Sequence, residues 1–153
     1  MMKRASQRRR GVITLEAILS IPLLVISFFA VAEFGILLVV QQAVTTAAIE
    51  GARESAKGAT FAEVKTRVNE VLSVHGMTVT DANILMERFD VALTVLPLIP
   101  SCTPVSTLAL AAGQTRVTLC FALPTGPIQN FLSTFGFTLL GKNFNISGYA
   151  DLE

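Results

Sequence analysis

Apolar positions are spread unevenly along the chain, and that unevenness alone divides it into segments. Residues 1–11 are polar and basic without periodicity and read as a disordered leader. Residues 12–32 are apolar apart from Thr14, Glu16, Ser20 and Ser27. At the helical rise of ~1.5 Å per residue this run spans about 31 Å, against roughly 30 Å for the hydrocarbon core of a bilayer. The expectation is a transmembrane helix over 12–33. Glu33 then lies near the outer interface and Glu16 about one turn inside the inner one, so neither carboxylate occupies the costly bilayer centre.

Helical patterning continues past Glu33, because residues 34–56 contain no proline. Ala43, Ala47, Gly51 and Ser55 recur every four positions, and Val44, Ala48, Ala52 and Ala56 form a second row beside them. So smooth a face lets another backbone approach closely. Two partners fit it, the protein's own sheet or neighbouring subunits, and both can apply along different lengths. Lys57-Gly58 supplies a C-cap, which gives a helical extension over 34–57.

The rest, 58–153, reads as one domain. An amphipathic helix is predicted over 61–75, with Phe61, Val64, Val68 and Val71 or Leu72 on one face, and Gly76 ends it. Strands are expected at 77–81, 89–96, 115–123 and 145–152. Pro97, Pro100 and Pro104 make a loop that contains Cys102, and Pro124 to Pro127 is a turn. Residues 128–140 are apolar and fit a short helix. The fold class is α+β: a long N-terminal helix followed by a small antiparallel sheet of three or four strands with one amphipathic helix.

Charge orients this architecture. Lys3, Arg4, Arg8, Arg9 and Arg10 supply five of the twelve positive charges. Lysine and arginine beside a membrane segment are retained in the cytoplasm, so the leader is cytoplasmic and the domain lies outside. From residue 12 onward seven positive charges face eleven negative ones, a net of −4. That balance repels phosphate backbones and argues against nucleic acid as a partner. Cys102 and Cys120 both fall in the exported part, where disulfides persist, and a single pair has one intramolecular connectivity. They form either that disulfide or two small buried hydrophobes. The disulfide would close a loop of about nineteen residues, worth roughly 3 kcal/mol.

Catalytic chemistry is not indicated. His75 is the only histidine, at the end of an amphipathic helix, and no metal-ligand spacing or nucleophile–base set can be assembled. Gly136-Phe-Thr-Leu-Leu-Gly-Lys-Asn143 approximates a phosphate-binding loop. It lacks the closing Ser/Thr, and its interior is bulky and apolar. No cofactor and no small-molecule substrate are expected.

The stretch Arg8-Arg-Arg-Gly-Val-Ile-Thr-Leu-Glu16 carries the most information. It resembles the processing site of type IV prepilins, which a membrane-embedded aspartic peptidase cuts after the glycine. Glycine lets the backbone enter such a cleft without side-chain obstruction. Cleavage would expose an α-ammonium on Val12, one i,i+4 step from Glu16, whose carboxylate favours a helix N-terminus. Pro22-Leu-Leu, Glu33-Phe-Gly35 and Ala47-Ala-Ile-Glu-Gly-Ala-Arg53 extend the likeness. Together, over about residues 8–57, the chain resembles the TadE-like proteins, pseudopilins of the tight-adherence (Flp-type) pilus. Members of this branch often carry an aromatic residue after the glutamate, where Ala17 stands, which bears on the efficiency of processing. The resemblance implies a minor subunit or assembly factor of the cytoplasmic membrane, not an enzyme. Its implied partners are the membrane, a prepilin peptidase and other pilus or pseudopilin subunits. Two other readings use the same segment: a secretory signal peptide cleaved after Ala30-Val-Ala32, and an uncleaved anchor tethering a binding module with no filament role.

Overall fold

One helix, α1 (Arg4–Ala56), accounts for the first third of the chain. The computed structural model describes residues 4–96, 109–122 and 143–153. The expected loop with Cys102, the turn at 124–127, the segment 128–140 and most of the phosphate-loop look-alike lie outside those residues. α1 begins inside the region read as a disordered leader. The correction has a simple cause: arginine, alanine and glutamine are good helix formers, and no proline precedes Pro22 to break the ladder. Pro22 itself lies within the helix. It removes one backbone donor, a loss that membrane helices tolerate.

Gly58, at φ 91°, terminates the first helix with its amide on the Ser55 carbonyl, 3.1 Å away. α2 (Phe61–Ser73) opens on a capping box in which Thr60 and Glu63 satisfy each other's backbone amides. The Thr60 amide and hydroxyl both donate to Glu63 Oε2, at 2.7 and 2.8 Å. Those bonds, the backbone one foremost, hold the Glu63 carboxyl below its ordinary value. Val64, Val68 and Leu72 are the buried stripe of α2, each worth roughly 1.5–3 kcal/mol of apolar transfer. Gly76, at φ 68°, follows its end.

Four antiparallel strands make the sheet: β1 (Ile84–Phe89), β2 (Leu93–Leu96), β3 (Gln114–Ala122) and β4 (Asn143–Asp151), in the order β2-β1-β3-β4. Register pairs Met86 with Val117 and Val117 with Gly148. α1 packs on β3 and β4 and against α2, so the core joins Ala47, Ala48 and Ala52 to Val64, Val68, Ile84, Met86, Val117 and Leu119. The α+β class is as expected.

Two strand expectations are corrected. Residues 77–81 have the alternating burial of a strand, with Met77 and Val79 inward, but among the described residues no strand pairs with them. Their amides are satisfied by the Leu72 carbonyl and the Asn69 side chain, and a 3-10 turn at Asp81–Asn83 follows. Residues 89–96 are not one strand. A turn at 90–92 folds them back, so that Phe89 pairs with Leu93 and β1 extends N-terminally to Ile84.

Candidate functional site

The surroundings of α1 change at Glu33. On the N-terminal side, Ile18, Leu19, Ile21, Leu24, Phe28 and Val31 are 61–73% exposed. Apolar surface on that scale marks contact with a membrane or another protein, and the helix is long and apolar enough to cross a bilayer. Its polar groups are handled locally: the Ser27 hydroxyl donates to the Leu23 carbonyl at 2.8 Å. The backbones of Gly11 and Val12 lie within α1, and the Glu16 side chain is exposed. Gly11 is therefore helical, at the residue with the weakest helix propensity after proline.

From Glu33 onward the inward face is covered by the protein itself. Glu33 is 2% exposed and Ala43, Ala47, Gly51 and Ser55 are buried. A Cβ placed on Gly51 would lie 2.7 Å from Val68 Cγ2 and 3.3 Å from Val117 Cγ1, so α2 and β3 both press on this glycine. A Cβ on Gly148 of β4 would collide with the carbonyl group of Ala48. The small-residue face is thus occupied by the chain's own sheet and second helix along 43–56, and the alternative of a neighbouring subunit on that face does not apply there.

Arg88 fastens the end of this packed half. Its Nη2 donates to the Ser55 carbonyl and, at 2.9 Å, to the Ala59 carbonyl. A cation at a helix C-terminus also suits the helix dipole. Ser55 Oγ and Thr115 Oγ1 are 2.7 Å apart, and Thr115 in turn donates to the Glu87 carbonyl. These contacts escape a sequence reading, because most of their acceptors are backbone carbonyls far away in the chain.

On the opposite face of the sheet, Glu87 Oε2 and Arg116 Nε meet at 2.6 Å, both nearly buried. The hydrogen bond that Arg116 donates to Glu87 is the main reason that its guanidinium is held above its ordinary value, and Arg116 also lies over the Tyr149 ring. This is an internal ion pair in a sheet. Cys120, in β3, is disulfide-bonded; Cys102 lies outside the described residues. His75 is exposed just beyond α2. A groove of about 590 Å³ between α1 and α2 is bordered by Glu50, Glu54, Lys57, Arg67 and Glu70. Its charges pair with one another or with Arg53, which makes it a solvated surface. Among the described residues no group of His, Cys, Asp and Glu is arranged to hold a metal.

Residues 11–53 match the family model described as TadE-like protein. Over those residues α1 is similar to the TadE-like proteins. No curated protein and no solved structure matches the chain. The matched segment begins at Gly11 and ends at Arg53, so it holds Val12, Glu16 and the exposed half of α1, with Ala43, Ala47 and Gly51 of the packed half. Ser55, Arg88, Cys120 and the whole sheet lie beyond it.

Proposed function

We propose that this chain is a membrane-anchored minor subunit or assembly factor of a tight-adherence-type pilus or a related secretion apparatus. The observation that carries the reading is a TadE-like match that opens at the glycine of a prepilin-type junction, on a helix whose residues 16–32 are mostly apolar and largely exposed. The basic leader stays in the cytoplasm, the domain lies outside, and a prepilin peptidase cuts between Gly11 and Val12. Because Gly11 lies in a helix, the peptidase must unwind it there, and glycine lowers that cost by about 1 kcal/mol relative to alanine. The role is one of assembly, without catalysis.

Intact mass measured on the membrane-extracted chain, from cells with an active prepilin peptidase, tests this. A mature chain beginning at Val12 is expected, and Gly11→Leu should retain Met1. Intact wild-type chain would leave only a tethered module, and a chain beginning at Glu33 would mean a signal peptide. Glu16→Gln should be inserted and cleaved normally yet fail to co-purify with other pilus subunits, since removing one half of a shielded ion pair costs about 3–5 kcal/mol.

A further inference from the structure

Glu33 is the outermost acid of the apolar run, and by charge alone it would end the membrane segment. Its burial removes that reason, because a side chain covered by its own protein presents no charge to lipid. The outward face of α1 stays apolar beyond it: Phe34 is 61%, Leu38 57% and Val39 52% exposed. The first polar side chains on that face are Gln41 and Gln42, both exposed, followed by Thr46. We infer that, in the anchored chain, Phe34, Leu38 and Val39 contact the outer headgroup zone of the bilayer, so that the membrane boundary falls at Gln41–Gln42 and the domain is seated on the lipid surface. This rests on the anchor reading above.

Length supports lipid as the occupant. From Val12 to Val39 the helix rises roughly 42 Å, which exceeds the ~30 Å hydrocarbon core but equals the ~40–45 Å of a bilayer with its headgroup layers. The surface is also continuous with Leu24, Phe28 and Val31, without a change in residue type. Helix pairs in membranes approach through small residues, whereas this face is large-sided except at Gly35. The domain therefore has no free stalk: its inward packing begins at Glu33, where the outward face is still in lipid.

Nitroxide labels on single cysteines at positions 24, 34, 38, 42 and 46 of the full chain test the proposal. Labelling is done without reductant, with the wild-type chain as the blank. The chain is reconstituted in vesicles of phosphatidylethanolamine and phosphatidylglycerol, and collisions with oxygen and with a soluble nickel chelate are measured. Positions 24, 34 and 38 should be oxygen-rich, with chelate collision several-fold lower than at 42 and 46. Chelate access at 34 and 38 with a lipid-like 24 would overturn the inference and leave the anchor intact. Low access to both reagents at 34 and 38 would also overturn it, by revealing a protein neighbour such as a second copy. Chelate access at 24 would remove the anchor reading itself.

Discussion

The two halves of α1 share one continuous helical backbone, yet they solve opposite problems. Before Glu33 the exposed residues are mostly Ile, Leu, Val and Phe; beyond Val40 the buried ones are mainly Ala, Gly and Ser with Val44. Side-chain size separates them better than hydrophobicity does. Large side chains cover a helix surrounded by fluid chains, whereas small ones let β4 and α2 come within backbone distance, where dense contact replaces area as the source of attraction. On the proposed anchor reading, residue volume divides the lipid-facing from the protein-facing surface of this helix.

The sharpest way to break this contrast is at the closest approach. Gly148→Ala puts a methyl group into the Ala48 carbonyl, and since backbone must move, the domain should lose about 3 kcal/mol, read as a lowered thermal midpoint in detergent. Arg88→Met keeps the bulk but strips the donors from Ser55 and Ala59, at a cost of about 2 kcal/mol. The same melt measures it, with protease sensitivity expected near residues 55–60. Gly51→Ala and Gly35→Ala then form a matched pair. At Gly51 the methyl group meets flexible valine side chains, so overpacking of about 1–3 kcal/mol works against a helix-propensity gain of ~1 kcal/mol. At Gly35 nothing lies within 4 Å, and the change should be neutral or slightly stabilising. Equal effects at the two sites would refute the division of α1 into halves.

Thr60→Ala should cost about 1 kcal/mol through the lost cap of α2. It also carries a pH signature. The Glu63 carboxyl is lowered in the folded chain by its bonds to Thr60. Its stabilising contribution is therefore present above the unfolded carboxyl value and is lost as pH falls through the folded one. Acid melts of the wild type should show that loss, and Thr60→Ala, which keeps the backbone donor, should reduce it only in part.

What could be read in advance was whatever leaves a local periodic trace. The two small rows of α1, the stripe Val64, Val68 and Leu72, and the strands around Val117 and Ile146 all did so. β1 did not, because Ile84, Leu85, Met86 and Glu87 are buried in succession, which erases the in-and-out alternation. The inward Glu87 is acceptable only because Arg116 lies opposite it in the register. The turn at 90–92 has neither glycine nor proline, and Val91, 92% exposed at its tip, looks like strand. At the candidate site, Gly11, Val12 and Glu16 were legible as a junction of charge and apolarity. The burial of Glu33 was not, since it depends on what folds over that residue.

α1 runs unbroken for 53 residues, a strut of about 80 Å with no linker between its basic N-terminal turns and the sheet. Mechanically it is a lever. A flexible tether would absorb a pull at the leader end by uncoiling, whereas a helix whose far end is clamped by Arg88 and wedged under Gly148 passes the displacement on. Lifting or rotating the N-terminal end should therefore move the sheet domain as a body, through nearly the same distance.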